Sequence, residues 1–155
     1  MKESLIWARY TWCLFHMLAE KIKDEHVHSE IVKIQEIVFM IVTILPCPEC
    51  REHGKKYLQQ EIKHNRFGNI NDKNILKTFL YNFHNVVNSK TGKRICNVDI
   101  LKQYSNINLL FVLDQWNKYF KLFTIDQYTI REESDRKKKK TFILNYFKNN
   151  IEKYI

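Results

Sequence analysis

The sequence predicts an all-α protein: a four-helix bundle plus a short fifth helix, with an additional C-terminal helical extension. Three observations carry that reading. Apolar residues recur at three- and four-residue spacing along most of the chain, the pattern of amphipathic helices. Only three Gly and two Pro occur in 155 residues, too few for the turns of an all-β fold. Hydrophobic residues make up 45% and charged residues 28%, a balance that folds around a core rather than staying disordered.

The first helix places Leu5, Ala8, Trp12, Phe15, Ala19 and Ile22 on one face, with Ser4 as its expected cap. A second fits Ser29 to Leu45, capped by Ser29 and buried through Ile31, Ile34, Val38, Ile41 and Leu45. Pro46 ends it, because a residue before proline is pushed out of the helical region. The third starts near Pro48, which a first turn tolerates, and runs to about His64. The fourth runs from about Asp72 to Asn88, with Ile75, Leu76, Phe79, Leu80, Phe83 and Val87 inward. "SKTGKR" breaks it, and a short helix from Asn97 to Tyr104 follows. Beyond Tyr104, Leu109, Leu113, Trp116, Phe120 and Phe123 form one apolar stripe. Ile143, Phe147, Ile151 and Tyr154 form another, after the charge block "REESDRKKKK". The expected organisation is one unit over residues 1–104 and an extension over 105–155.

The net charge of +9 suits acidic partners but decides little alone, since Lys, Asn and Ile are abundant throughout. "RKKKK" reads as a solvated face rather than a nucleic-acid contact. No signal peptide is expected, because Arg9 interrupts the apolar N-terminal stretch. The longest apolar run, Ile37 to Leu45, is too short to span a bilayer, so no membrane anchor is expected.

Four cysteines are too sparse for a secreted disulfide scaffold: one close pair, Cys47 and Cys50, and two singles, Cys13 and Cys96. In "LPCPEC" the pair stands at a predicted helix start. Free N–H groups and the helix dipole stabilise a thiolate there. In that geometry Cys47 is expected to be exposed and Cys50 shielded. Three readings follow: a zinc site, a disulfide-exchange site, or two core cysteines. Zinc requires four ligands, and Cys47, Cys50, His53 and His84 match no common spacing. A thioredoxin-type site requires a βαβ context that this sequence does not offer.

The fourth helix adds His84 and Asn88, four apart and so on one face beside Phe83 and Val87. The first helix adds Trp12 and His16 in the same relation. Burying such groups is costly without polar partners. Two inner faces carrying aromatic, His and Asn side chains suggest a bound molecule that is planar and polar.

"WARYTWCLFH", "LPCPEC" and "HNVVNSKTGK" together resemble the Erv/ALR family of FAD-linked sulfhydryl oxidases over about residues 5 to 104. The short members found in large DNA viruses are the most similar. The resemblance implies a helical bundle holding FAD, usually as a homodimer. Cys50 would lie against the flavin and pass electrons to it, and Cys47 would exchange with the substrate. Arg9, Trp12, His16, His84, Asn85, Val87, Asn88, Lys90 and Lys93 match cofactor-lining positions, and Tyr104 joins them. The implied reaction oxidises a dithiol substrate protein, with a thioredoxin-like carrier as the expected partner, and reduces O2 to H2O2. The implied location is the cytoplasm of an infected cell or a virion, with a mitochondrial-type location second. A non-catalytic helical module holding zinc or nucleic acid stands as the alternative. Two departures from the family stand out. Ala8 replaces a frequent Gly, and Tyr81 replaces a cysteine that many members pair with one near Cys96, so that disulfide is expected to be absent. No shuttle disulfide can form from a local pair in the tail, leaving Cys13 and Cys96 as buried or idle thiols.

Overall fold

The computed structural model describes residues 3–121 and 130–155. Among them the chain forms α1 (Glu3–Lys21), α2 (Asp24–Thr43), α3 (Pro48–Lys63) and α4 (Lys73–Lys90). A 3-10 segment (Val98–Asn106), α5 (Leu109–Tyr119), α6 (Ile130–Asn150) and a 3-10 turn (Ile151–Lys153) complete it. No strand occurs among the described residues, and the fold is all-α as the periodicity predicts.

The local chemistry sets the boundaries, with some corrections. Ser4 falls inside α1 rather than before it. α2 starts at Asp24, and Ser29 is not its cap; the Ser29 hydroxyl donates to the His26 carbonyl instead. Asp24 and Glu25 in its first turn suit the positive end of the helix dipole. α2 ends at Thr43, ahead of Pro46, as that proline requires. Asp72 caps α4 by accepting from the Ile75 N–H. Ile75 is 57% exposed, against expectation, because it sits one residue off the stripe formed by Leu76, Phe79, Leu80 and Phe83. The short fifth helix is 3-10 rather than α, capped by Asn97 accepting from Asp99 N–H. The charge block lies at the start of α6. Phe123 lies outside the described residues.

The core is built from the inner faces of α1, α2 and α4, including Leu14, Leu18, Ile34, Ile37, Ile41, Leu76 and Leu80. Both apolar stripes of the extension pack onto this bundle. On α5, Trp116 is fully buried and its Nε1 donates to Thr11 Oγ1 of α1 at 3.2 Å. Trp7 meets Phe120 edge-on at 6.2 Å between ring centroids. From α6, the Tyr146 hydroxyl donates to Glu30 Oε2 of α2 at 2.8 Å. No helix among the described residues is long and apolar enough to cross a membrane.

Candidate active site

Cys47 is the N-cap of α3, and its Sγ accepts from the Cys50 N–H at 3.2 Å. Pro48 supplies a pre-set φ for the first helical position, where no N–H is required. The two thiols are joined as a disulfide, with the α-carbons 5.2 Å apart. Both residues are half-buried, so exposure does not separate them as expected; Cys50 packs against the hydrophobic core. The zinc set does not assemble. Its two thiols are bonded to each other, its His84 is bonded to His16, and no group of three or more candidate ligands stands together among the described residues.

One turn beyond Cys50, on the same face of α3, stands Gly54. A Cβ there would lie 2.7 Å from Val42 Cγ1 and 4.0 Å from Phe83 Cζ. The missing side chain is what lets α3 close onto α2 and reach α4. Tyr57 then stacks on Phe83 at 4.9 Å and 2°, and Phe83 meets Trp12 of α1 at 5.2 Å. The inner face of the cysteine helix thus leads through Phe83 to α1.

At that point α1, α4 and the 3-10 segment bring four expected residues together. Trp12 stacks on His84 at 4.1 Å and 6°. His16 stacks on Tyr104 at 4.8 Å and 23°. His16 Nε2 and His84 Nδ1 are 2.9 Å apart, so one ring donates and the other accepts. Burial pushes His16 down to about 3, with His84 adding to it. Burial also pushes His84 down to about 4, with the Lys93 cation second. Both rings are therefore neutral near pH 7. Burial raises Tyr104 to about 12, so its phenol keeps its proton. His16 is only 4% exposed, and its Nδ1 has no hydrogen-bond partner. An orphaned buried nitrogen is costly, and a ligand is one way to satisfy it.

Asn88 is also buried, and among the described residues its amide reaches only the Cys96 sulfur, at 4.0 Å. Asn85 is used differently. Its amide donates to the Cys96 carbonyl at 3.2 Å and accepts from the Cys96 N–H at 3.0 Å, pinning the segment after α4. The Tyr81 hydroxyl donates to the same carbonyl at 2.7 Å. Position 81 thus holds the segment with a phenol. Cys13 and Cys96 are both free and half-buried, and burial raises the Cys13 thiol. Val87 packs against the core, while Arg9, Lys90 and Lys93 are exposed cations. Arg9 lies close enough to Cys13, and Lys93 to His84, to influence their charge.

Parallel aromatic rings, an orphaned nitrogen, a poorly satisfied amide and nearby cations fit a planar hydrogen-bonding heterocycle that carries phosphate. Trp12 and His84 already touch, so such a group belongs against this stack, not between those two rings. Two cavities of about 420 and 320 Å3 lie elsewhere, the first between α5 and α6 beside Lys140, the second along α2 beside Phe39 and Phe67. Sequence reasoning missed Gly54, although a lone glycine inside a helical pattern is itself a packing signal.

A helical bundle with a CxxC disulfide at a helix start and a cluster of stacked rings on two other helices defines the class of this protein. The model of the Erv1 / Alr family matches residues 9–107, well over half of the chain, and the chain belongs to that family. The FAD-linked sulfhydryl oxidase ERV1 of Oryza sativa subsp. japonica is 33% identical over 87 residues, 56% of this chain and 42% of that protein. The match thus spans less than half the length of that relative. No solved structure matches the chain significantly.

Proposed function

We propose that this protein is an FAD-dependent thiol oxidase that introduces disulfides into substrate proteins. The observation that carries the reading is the Cys47–Cys50 disulfide at the start of α3, whose inner face leads through Phe83 to the stacked rings of α1 and α4. Family membership and the name of the rice relative support the cofactor and the activity.

The chain's own part is disulfide exchange. A substrate thiolate attacks Cys47 Sγ, the Cys47–Cys50 bond breaks, and Cys50 leaves as a thiolate at the N-terminus of α3. The second substrate thiolate attacks the substrate sulfur of the mixed disulfide and expels Cys47. The substrate has lost two electrons and two protons, and the pair now holds the electrons. Cys50 packs against the core, and in this reading it is the sulfur that passes electrons inward. Trp12, His16, His84, Asn88, Val87 and Tyr104 would hold the flavin, with Asn85 fixing the flanking segment. Arg9, Lys90 and Lys93 would pair with its phosphates. Neutral His16 can donate or accept at Nδ1 without adding charge to the site. FAD, when bound, supplies a two-electron acceptor that returns the electrons to O2 as H2O2.

The proposal extends to a homodimer, a dithiol substrate protein of thioredoxin-like type, and a location in an infected cell's cytoplasm or a virion. The Lys-, Asn- and Ile-rich composition and the lack of further cysteine pairs support the viral element. Residues 1–104 form the oxidase unit in this reading, and 105–155 are its extension. Cys47→Ser and Cys50→Ser test the core of it. Each abolishes thiol oxidation while FAD remains bound; full activity in both variants would remove the assignment.

A further inference from the structure

Arg51 follows Cys50 directly, and it is not a surface arginine. It is 6% exposed. Its Nη1 donates to the Leu45 carbonyl at 2.5 Å, two residues before Cys47. Its backbone N–H donates to the Cys47 carbonyl at 3.0 Å. One residue therefore ties both sides of the turn that carries the disulfide. Burial lowers its pKa to about 10, with Arg136 of α6 adding to the effect, so it remains cationic near pH 7. Other charged groups around it are Glu49 and Glu52, exposed on α3, and Glu132 and Arg136 on α6. A solvated side chain would serve to continue α3. Burying a guanidinium costs far more than leaving it in water, so its placement beneath this turn calls for a role.

We infer that Arg51 is a positioning residue for disulfide exchange, holding the Leu45–Cys50 turn and favouring the thiolate form of the reduced pair by its buried charge. This rests on the reading of Cys47 and Cys50 as the reactive pair. The consequence is a more oxidising disulfide. In the exchange of the protein disulfide with two glutathione thiols, the pair gains two electrons and two protons and glutathione disulfide forms. A cation that stabilises a protein thiolate draws this equilibrium toward the reduced protein. Through Glu132 and Arg136, the C-terminal extension reaches the electrostatics of the redox turn.

The test uses the full chain and requires no turnover. The reduced protein is alkylated across a pH series, with the reactive cysteine identified by mass spectrometry, and the oxidised protein is equilibrated with glutathione buffers. Two variants separate charge from structure: Arg51→Gln keeps a donor for the Leu45 carbonyl and drops the charge, whereas Arg51→Lys keeps the charge. In the wild type the alkylation midpoint lies below the ordinary thiol value of about 8.5. In Arg51→Gln it rises by about one pH unit, and the glutathione equilibrium moves about tenfold toward the disulfide. Arg51→Lys stays close to the wild type on both readouts, whatever its melting temperature. An Arg51→Gln protein indistinguishable from wild type overturns the inference. So does a wild-type midpoint at or above the ordinary value, which is decisive even where the Gln variant fails to fold. A wild-type disulfide that glutathione cannot reduce would remove the redox reading itself, and this inference with it.

Discussion

Glu30 and His16 are both buried polar side chains in a helical interior, and they meet opposite fates. Glu30 on α2 has each carboxylate oxygen paired: Oε1 takes the Lys153 ammonium at 2.5 Å and Oε2 the Tyr146 hydroxyl at 2.8 Å. Tyr146 in turn bonds the Tyr154 hydroxyl at 2.6 Å, and the Lys153 carbonyl accepts from the Lys23 N–H at 2.9 Å. Burial raises both phenols, Tyr154 and Glu30 raise Tyr146 further, and both stay protonated. This clasp closes on itself and fastens the end of the chain to α2. His16 on α1 has one nitrogen paired with His84 and the other with nothing. The chain supplies partners where polarity is structural. At His16 a buried nitrogen lacks such a partner among the described residues, and we read it as a contact for a ligand.

That contrast makes predictions of unequal size. The largest effect falls on His16→Leu, which we expect to weaken FAD binding by about a hundredfold, the loss of a well-placed hydrogen bond with its packing. The apoprotein should stay within about 1 kcal/mol of the wild type by urea unfolding, because an orphaned nitrogen disappears along with one hydrogen bond. Glu30→Ala should do the reverse. It should cost roughly 3 kcal/mol of stability by leaving Lys153 without its carboxylate, and leave FAD affinity unchanged. A Glu30 variant that loses the flavin, or a His16 variant that mainly unfolds, would erase the distinction between the two regions.

The pH dependence sharpens the same comparison. His16 and His84 fold with values near 3 and 4, below the ordinary 6.5. The unfolded chain therefore takes up protons that the folded chain refuses. Their contribution is fully present above pH 6.5 and is lost as pH falls from there through about 4 for His84 and about 3 for His16. Melting temperature of the apoprotein should fall between pH 7 and 5, with a visibly shallower slope in His16→Leu. Equal slopes in the two proteins would show that His16 is protonated in the folded state. The smallest expected effect belongs to Tyr81→Phe, about 1 kcal/mol from the lost bond to the Cys96 carbonyl. Faster alkylation of Cys96 in that variant would show the segment loosened.

The helices were legible because burial repeats with the helical period, whereas the expected caps Ser4 and Ser29 lie inside their helices, and Asp72 and Asn97 cap α4 and the 3-10 segment. Ile75 was misread because it is apolar and stands next to Leu76, so the period alone could not say which of the two faces water. The start of α2 was placed late because its first turn carries acidic residues rather than an apolar stripe. The ring cluster was legible from the pairs Trp12 with His16 and His84 with Asn88. What periodicity cannot show is pairing between distant segments. Glu30 meets Tyr146 across 116 positions, and Asn85 turns from the rings to the Cys96 backbone 11 positions on. Arg51 looks like any charged residue of an exposed helix start until its carbonyl partner at Leu45 is seen.

The central claim is that the Cys47–Cys50 pair delivers electrons to a flavin held by the α1–α4 face. The most direct measurement is the visible spectrum of the purified protein under nitrogen while a small dithiol is added. The account predicts a yellow protein that bleaches in the wild type and stays yellow in Cys50→Ser. A protein that binds no flavin, or one whose Cys50→Ser variant bleaches as fast as the wild type, would contradict it.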